Sequence, residues 1–118
     1  MNTVFGEYIK QRREKFRAED PHYSLRQVAG KIGVAPSHLS RVERGQPTTL
    51  SELKIINLAK VLNEDPDVLL ALSGKVSSDI QEVIRKRPQL FAQLIRDLKD
   101  LPDNAVLRIV REVRDGKW

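Results

Sequence analysis

The chain has 118 residues, 31% of them charged and 40% hydrophobic, with 21 Lys or Arg against 16 Asp or Glu, a formal charge of +5 and no cysteine. That length suits one domain, or a small domain carrying a helical extension, and buries roughly 65% of the unfolded chain's surface. The composition is too apolar for a disordered chain and too polar for bilayer spans of about 20 apolar residues, while the absence of cysteine excludes disulfides, thiolate zinc sites and cysteine nucleophiles.

Helix-period patterning runs nearly throughout, so the chain reads as all-α. Met1 to Lys15 mixes charges every two or three residues and lacks the apolar centre of a secretory signal, which points to a cytoplasmic protein with no membrane partner. Val4, Phe5, Tyr8, Ile9 and Phe16 form the apolar stripe of a first helix, Thr3 to Ala18, broken by Glu19, Asp20 and Pro21. Ser24-x-x-Gln27 is a capping-box pattern opening a second helix, whose inner side carries Leu25, Val28, Ala29 and Ile32, and Gly33 ends it. Pro36 starts a third helix and Gly45 closes it, with Gln46 to Thr48 as a loop. Thr49-x-x-Glu52, a second capping box, opens a fourth helix through Leu62. Leu50, Leu53 and Val61 fall on one side of it and Ile55, Leu58 and Leu62 on another, which predicts a helix sandwiched between layers. Asp65-Pro66 caps a short fifth helix running to Leu72, stopped by Ser73-Gly74. A boundary at Ser73 to Lys75 separates residues 1–74 from an extension, 75–118, of three helices: Ser78 to Lys86, Pro88 to Lys99 and Pro102 to Asp115. These three are too few and too short to enclose a core easily, so they are expected to pack on the first five helices, on a partner chain, or on both.

The informative stretch is Ser24 to Gly45, SLRQVAGKIGVAPSHLSRVERG. Ala29, four positions before Gly33, and then Val34 let two short helices cross through a tight turn. Such a turn occurs in DNA-binding motifs and in ordinary helical proteins alike. On the third helix Leu39 and Val42 point one way, whereas Ser37, Ser40, Arg41 and Arg44 cluster within about 50° of the opposite direction. That outer face has no acidic residue. It suits a major groove, where arginine donates in a fork to guanine and serine bonds base edges or phosphates, although a solvated helix face is polar too.

Gly6-x-x-Ile9-x-x-x-Arg13, Val28-Ala29-x-x-x-Gly33-Val34, Leu39-Ser40-x-Val42-Glu43-Arg44-Gly45 and Leu50-x-x-Leu53 with Leu58-Ala59 together resemble the lambda-repressor-like, or Xre, helix-turn-helix family over residues 3 to 72. The resemblance implies a five-helix DNA-binding domain whose third helix reads bases from the major groove of double-stranded DNA, as a two-fold dimer on a pseudo-palindrome. It places Ser37 and Arg41 at the main base-contacting positions, with Pro36, His38 and Ser40 beside them, and Arg44, Gln46, Thr48 and Thr49 at the DNA backbone. It also implies a structural ion pair between Arg13 and Glu43. Leu25 stands where relatives often carry a phosphate-touching glutamine, so that contact passes to Arg26, Gln27 or a backbone N–H. Ala35-Pro36 replaces the usual Ser or Thr cap of the third helix, and the link from Ala18 to Tyr23 is longer than usual. His38 is open between a base contact, a pH sensor and a plain surface histidine, and Gly30, inside the second helix, has no evident role.

Charge is uneven: residues 1 to 48 carry nine Lys or Arg against five acids, net +4, whereas residues 49 to 74 carry two against four, net −2. The recognition half is therefore the positive one. The extension carries ten against seven, net +3, with Arg108, Arg111 and Arg114 off its apolar stripe. Leu90, Phe91, Leu94, Ile95 and Leu98, and then Val106, Ile109, Val110 and Val113, form two stripes suited to dimerisation. Two histidines, no glycine-rich phosphate loop and no His-Glu pattern leave no nucleophile with its base, so no enzyme, cofactor or metal is expected. The expected function is that of a dimeric regulator of transcription, a repressor because nothing resembles an activation or effector-binding segment. The rival is a protein-interaction module, such as the antitoxin of a toxin-antitoxin pair, whose partner would be a toxin or an antirepressor.

Overall fold

In the computed structural model, which describes residues 3–118, eight α-helices and one short 3₁₀ turn account for all the regular structure, with no strand among the described residues. The helices are α1 (Thr3–Arg17), α2 (Leu25–Ile32), α3 (Pro36–Glu43), α4 (Glu52–Leu62), α5 (Pro66–Leu72), α6 (Ser78–Lys86), α7 (Pro88–Leu98) and α8 (Asp103–Asp115), the 3₁₀ turn being Pro21–Tyr23 between α1 and α2. None of the helices among the described residues is long and apolar enough to cross a membrane. The chain divides into two units, Met1–Ser77 and Ser78–Trp118.

The first unit holds the core. Phe5 and Ile9 of α1, Val28, Ala29 and Ile32 of α2, Leu39 and Val42 of α3, Ile55, Leu58, Ala59 and Leu62 of α4, and Leu69 and Leu70 of α5 are all buried together with Leu50. Two residues expected inside face water. Val4 lies on the solvent side of α1, and Leu53 is 63% exposed, whereas Val61, on the same side of α4, is half-buried against the core. Leu50, which shares that side on the helical wheel, precedes the helix and drops into the core from the irregular segment before it.

The start of α4 also differs from the capping-box expectation. Its N-cap is Ser51, whose Oγ accepts from the N–H of Lys54 at 3.2 Å, while Thr49 lies two residues earlier. Leu50, just before the cap, and Ile55, in the first turn, are both buried and line one small cavity of about 50 Å³. Such a pair across a helix start fixes the angle at which the chain enters, and here it overrides the Thr-x-x-Glu pattern. At α2 only half of the expected box forms: Ser24 Oγ accepts from the N–H of Gln27, but the N–H of Ser24 donates to the carbonyl of Pro21 at 3.2 Å. The 3₁₀ turn has taken the group that Gln27 was expected to hold.

In the second unit no residue from Ser78 to Trp118 is buried. Phe91, Leu98, Val106 and Ile109 are half-buried, whereas Leu90 (69%), Leu94, Ile95, Val110 and Val113 (59%) are exposed.

Candidate nucleic-acid interface

The turn between α2 and α3 is set by backbone geometry. Gly33 adopts φ +75°, so its N–H reaches the carbonyl of Gly30 at 3.2 Å and that of Val34 reaches Ala29 at 2.9 Å. This double closure satisfies carbonyls that a helix end otherwise leaves open, and it needs a residue free to take a left-handed conformation. Pro36 then opens α3, with Ala35 as N-cap and no side chain closing the end. At the far end the pattern repeats: Gly45 has φ +72°, its N–H donates to Val42 at 3.0 Å, and Gln46 donates to Arg41 at 3.1 Å. Both ends of α3 are thus fixed by main chain.

Leu39 and Val42 turn α3 into the core, which directs its opposite side outward. Ser37, Arg41 and Arg44 are exposed there, and Pro36, His38 and Ser40 are half-buried. The Nε of Arg44 donates back to the carbonyl of Ser40 at 3.3 Å, laying that side chain along the helix. Arg26 and Gln27 are exposed on the first turn of α2, and Leu25 is half-buried against the core. In the segment after α3, Gln46 and Thr49 are exposed and Thr48 is half-buried. The hydroxyl of Thr49 donates weakly to the carbonyl of Leu50 at 3.4 Å, and so does the Nζ of Lys75, at 2.7 Å. The imidazole Nε2 of His38 lies 3.0 Å from the carbonyl oxygen of Thr49.

Beneath this surface Arg13 of α1 meets Glu43, the last residue of α3. Its Nε donates to Oε2 at 2.7 Å and its Nη2 to Oε1 at 2.9 Å, with Arg13 4% and Glu43 6% exposed. The hydrogen bond to Glu43 pushes the Arg13 guanidinium above its ordinary pKa, against the effect of burial. The third arm, Nη1, donates to the carbonyl of Tyr23 at 3.2 Å, one residue before the cap of α2. One guanidinium therefore ties α1 to the start of α2 and the end of α3.

Sequence reasoning left several supporting residues unassigned. The Tyr23 ring stacks on Phe16 with centroids 4.8 Å apart; Arg12 lies over Phe16 and Lys31 over Tyr23. This column of cation, ring, ring and cation explains the longer link before α2, which brings Tyr23 onto α1. Gly6 lies where α1 runs close against the end of α3: a Cβ there would stand 2.3 Å from the carbonyl oxygen of Val42 and 2.8 Å from that of Glu43. A glycine within a helix, where it costs about 1 kcal/mol against alanine, is the signal that could have found it. Gly30 carries the same signal without the same cause, since a Cβ there meets nothing within 4 Å.

The profile of a family described as helix-turn-helix matches residues 9–69, just over half of the chain, from the second half of α1 into α5. No match was found among curated proteins or among solved structures.

Proposed function

The chain belongs to this helix-turn-helix family, of the lambda-repressor-like or Xre type, whose members are DNA-binding regulators of transcription and not enzymes, and from that premise we propose that it is a repressor which binds a pseudo-palindromic operator as a homodimer. The observation that carries the reading is the outer side of α3, where Ser37, Arg41 and Arg44 are open to solvent on a helix whose other side is locked in the core. Arg41 donates to guanine N7 and O6, Ser37 and Ser40 bond base edges, and Pro36 adds shape or an apolar contact to a thymine methyl. Arg44, Gln46, Thr48 and Thr49, together with Arg26 and Gln27, hold the DNA backbone and fix the register.

The homodimer is proposed through the second unit, residues 78–118, whose apolar stripes leave Leu90, Leu94, Ile95, Val110 and Val113 exposed. An open apolar face of this kind marks an interface, and a stable one covers about 800 Å² per partner. Dimerisation would set two copies of α3 about 34 Å apart, one turn of DNA.

Selection of bound duplexes from a random library tests the reading. A two-fold site with half-sites one turn apart is expected. Arg41→Ala should relax preference at one position, by about 1 to 3 kcal/mol, whereas Arg44→Ala should weaken all sequences evenly and flatten the log-log salt dependence by about 0.9. No enriched sequence, or equal effects of the two substitutions, overturns it. Sedimentation of the purified protein tests the dimer: a monomer would assign the open stripes to a different protein, as in the antitoxin reading.

A further inference from the structure

His38 stands among the base-contacting residues that the family resemblance implies, yet its ring is turned to the protein's own backbone. Its Nε2 lies 3.0 Å from the carbonyl oxygen of Thr49, eleven residues on, in the segment that joins α3 to α4. A carbonyl oxygen only accepts, so Nε2 is the donor in this contact. One residue further, the carbonyl of Leu50 accepts from the Nζ of Lys75 at 2.7 Å, twenty-five residues on. Two successive carbonyls of an otherwise irregular segment are thus held by side chains from distant parts of the first unit. Thr48, Thr49 and Leu50 also line a cavity of about 50 Å³ with Phe5, Ile55 and Ser73.

We infer that His38 is a positioning residue: with Lys75 it clamps the backbone of Thr49 and Leu50, and so holds the two threonines at the DNA backbone instead of reading a base itself. The inference rests on the DNA-binding reading of this surface. A short segment held in its bound conformation loses less freedom on binding, which raises affinity without any new contact. The Lys75 ammonium acts the same way, as a donor to main chain and not as a partner of phosphate.

The chemistry supplies a discriminating pair of substitutions. The amide nitrogen of glutamine reaches about as far as Nε2 and donates, whereas alanine removes the donor. In the whole 118-residue chain, ¹⁵N relaxation without DNA should show lower order parameters at Thr48 to Leu50 in His38→Ala and wild-type values in His38→Gln. Against the selected duplex, His38→Ala should bind about three- to tenfold more weakly, the effect expected of one lost hydrogen bond, and His38→Gln should restore affinity. The base preferences of both variants should match the wild type at every position. Lys75→Met should weaken binding with an unchanged salt slope, whereas loss of a phosphate contact would lower the slope by about 0.9. A changed base preference in either His38 variant, unaltered order parameters in His38→Ala, or a reduced slope in Lys75→Met each overturns the inference. Should no duplex be bound at all, the DNA-binding reading fails, while the relaxation measurement still decides whether His38 clamps the segment.

Discussion

Replacing Arg13 by methionine removes the guanidinium while keeping most of the aliphatic stem, and it leaves the Glu43 carboxylate, 6% exposed, without the donors now 2.7 and 2.9 Å away. Breaking a buried ion pair from one side costs about 3 to 5 kcal/mol, because the remaining charge has lost both water and partner. The Tyr23 carbonyl also loses its donor, but Tyr23 is half-buried and water replaces much of that bond. Against a total stability of about 5 to 15 kcal/mol, the substitution is expected to lower the melting point of the first unit by about 12 °C or more. Changing both partners to apolar residues of similar size should recover most of the loss, so Arg13→Met/Glu43→Leu is expected within about 1 kcal/mol of the wild type. Urea unfolding followed in the tyrosine band of the near-ultraviolet circular dichroism, in a Trp118→Phe background that removes the overlapping indole of the second unit, reports on this unit, since Tyr8 and Tyr23 both belong to it. A single-variant cost below about 1 kcal/mol, or a double variant equal to the sum of its singles, would refute the reasoning.

The two helical glycines should respond with opposite signs. Gly6→Ala puts a Cβ 2.3 Å from a backbone oxygen of α3 that cannot yield without moving the helix, and it should destabilise by about 1 to 3 kcal/mol in urea unfolding. Gly30→Ala meets nothing within 4 Å and should stabilise by about 0.5 to 1 kcal/mol in the same assay; a loss there would mean that the glycine is needed for something other than helix stability. At the start of α4, Ser51→Ala should cost about 1 kcal/mol, whereas Thr49→Ala should leave folding nearly unchanged, and the reverse order would restore Thr49 as the cap.

What could be read from the sequence, and what could not, divides by the range of the interaction. The ends of α2, α3 and α5 were legible because Ser24, Gly33, Pro36, Gly45 and Asp65-Pro66 act on their own neighbours. The outward side of α3 was legible as well, since Leu39 and Val42 define an inner side whose opposite follows from helix geometry alone. Legibility failed where a second element decides. Val4 and Leu53 are apolar residues at the margin of a stripe, and whether such a position is covered depends on where the neighbouring helix happens to lie. Thr49-x-x-Glu52 satisfies a local capping rule as well as Ser51 does, and the choice fell to Leu50 and Ile55, whose burial belongs to the core and not to the cap.

The supports of the candidate interface were the least legible part, for a chemical reason. Arg13 with Glu43 joins two side chains of opposite charge, a complementarity that residue types record. His38 with Thr49, Lys75 with Leu50, and the third arm of Arg13 with Tyr23 all join a side chain to a backbone carbonyl. Every residue carries such a carbonyl, so the acceptor leaves no mark on the sequence, and separations of 10 to 25 residues place it beyond any local pattern. It follows that the outward side chains of α3 can be varied by substituting residues visible in the sequence, whereas the rigidity with which Thr48 and Thr49 are presented depends on donors whose partners only the folded chain reveals. A redesign that altered Ser37 and Arg41 while replacing His38 as one more variable position would change recognition and weaken the clamp together, and only the His38→Gln background would separate the two effects.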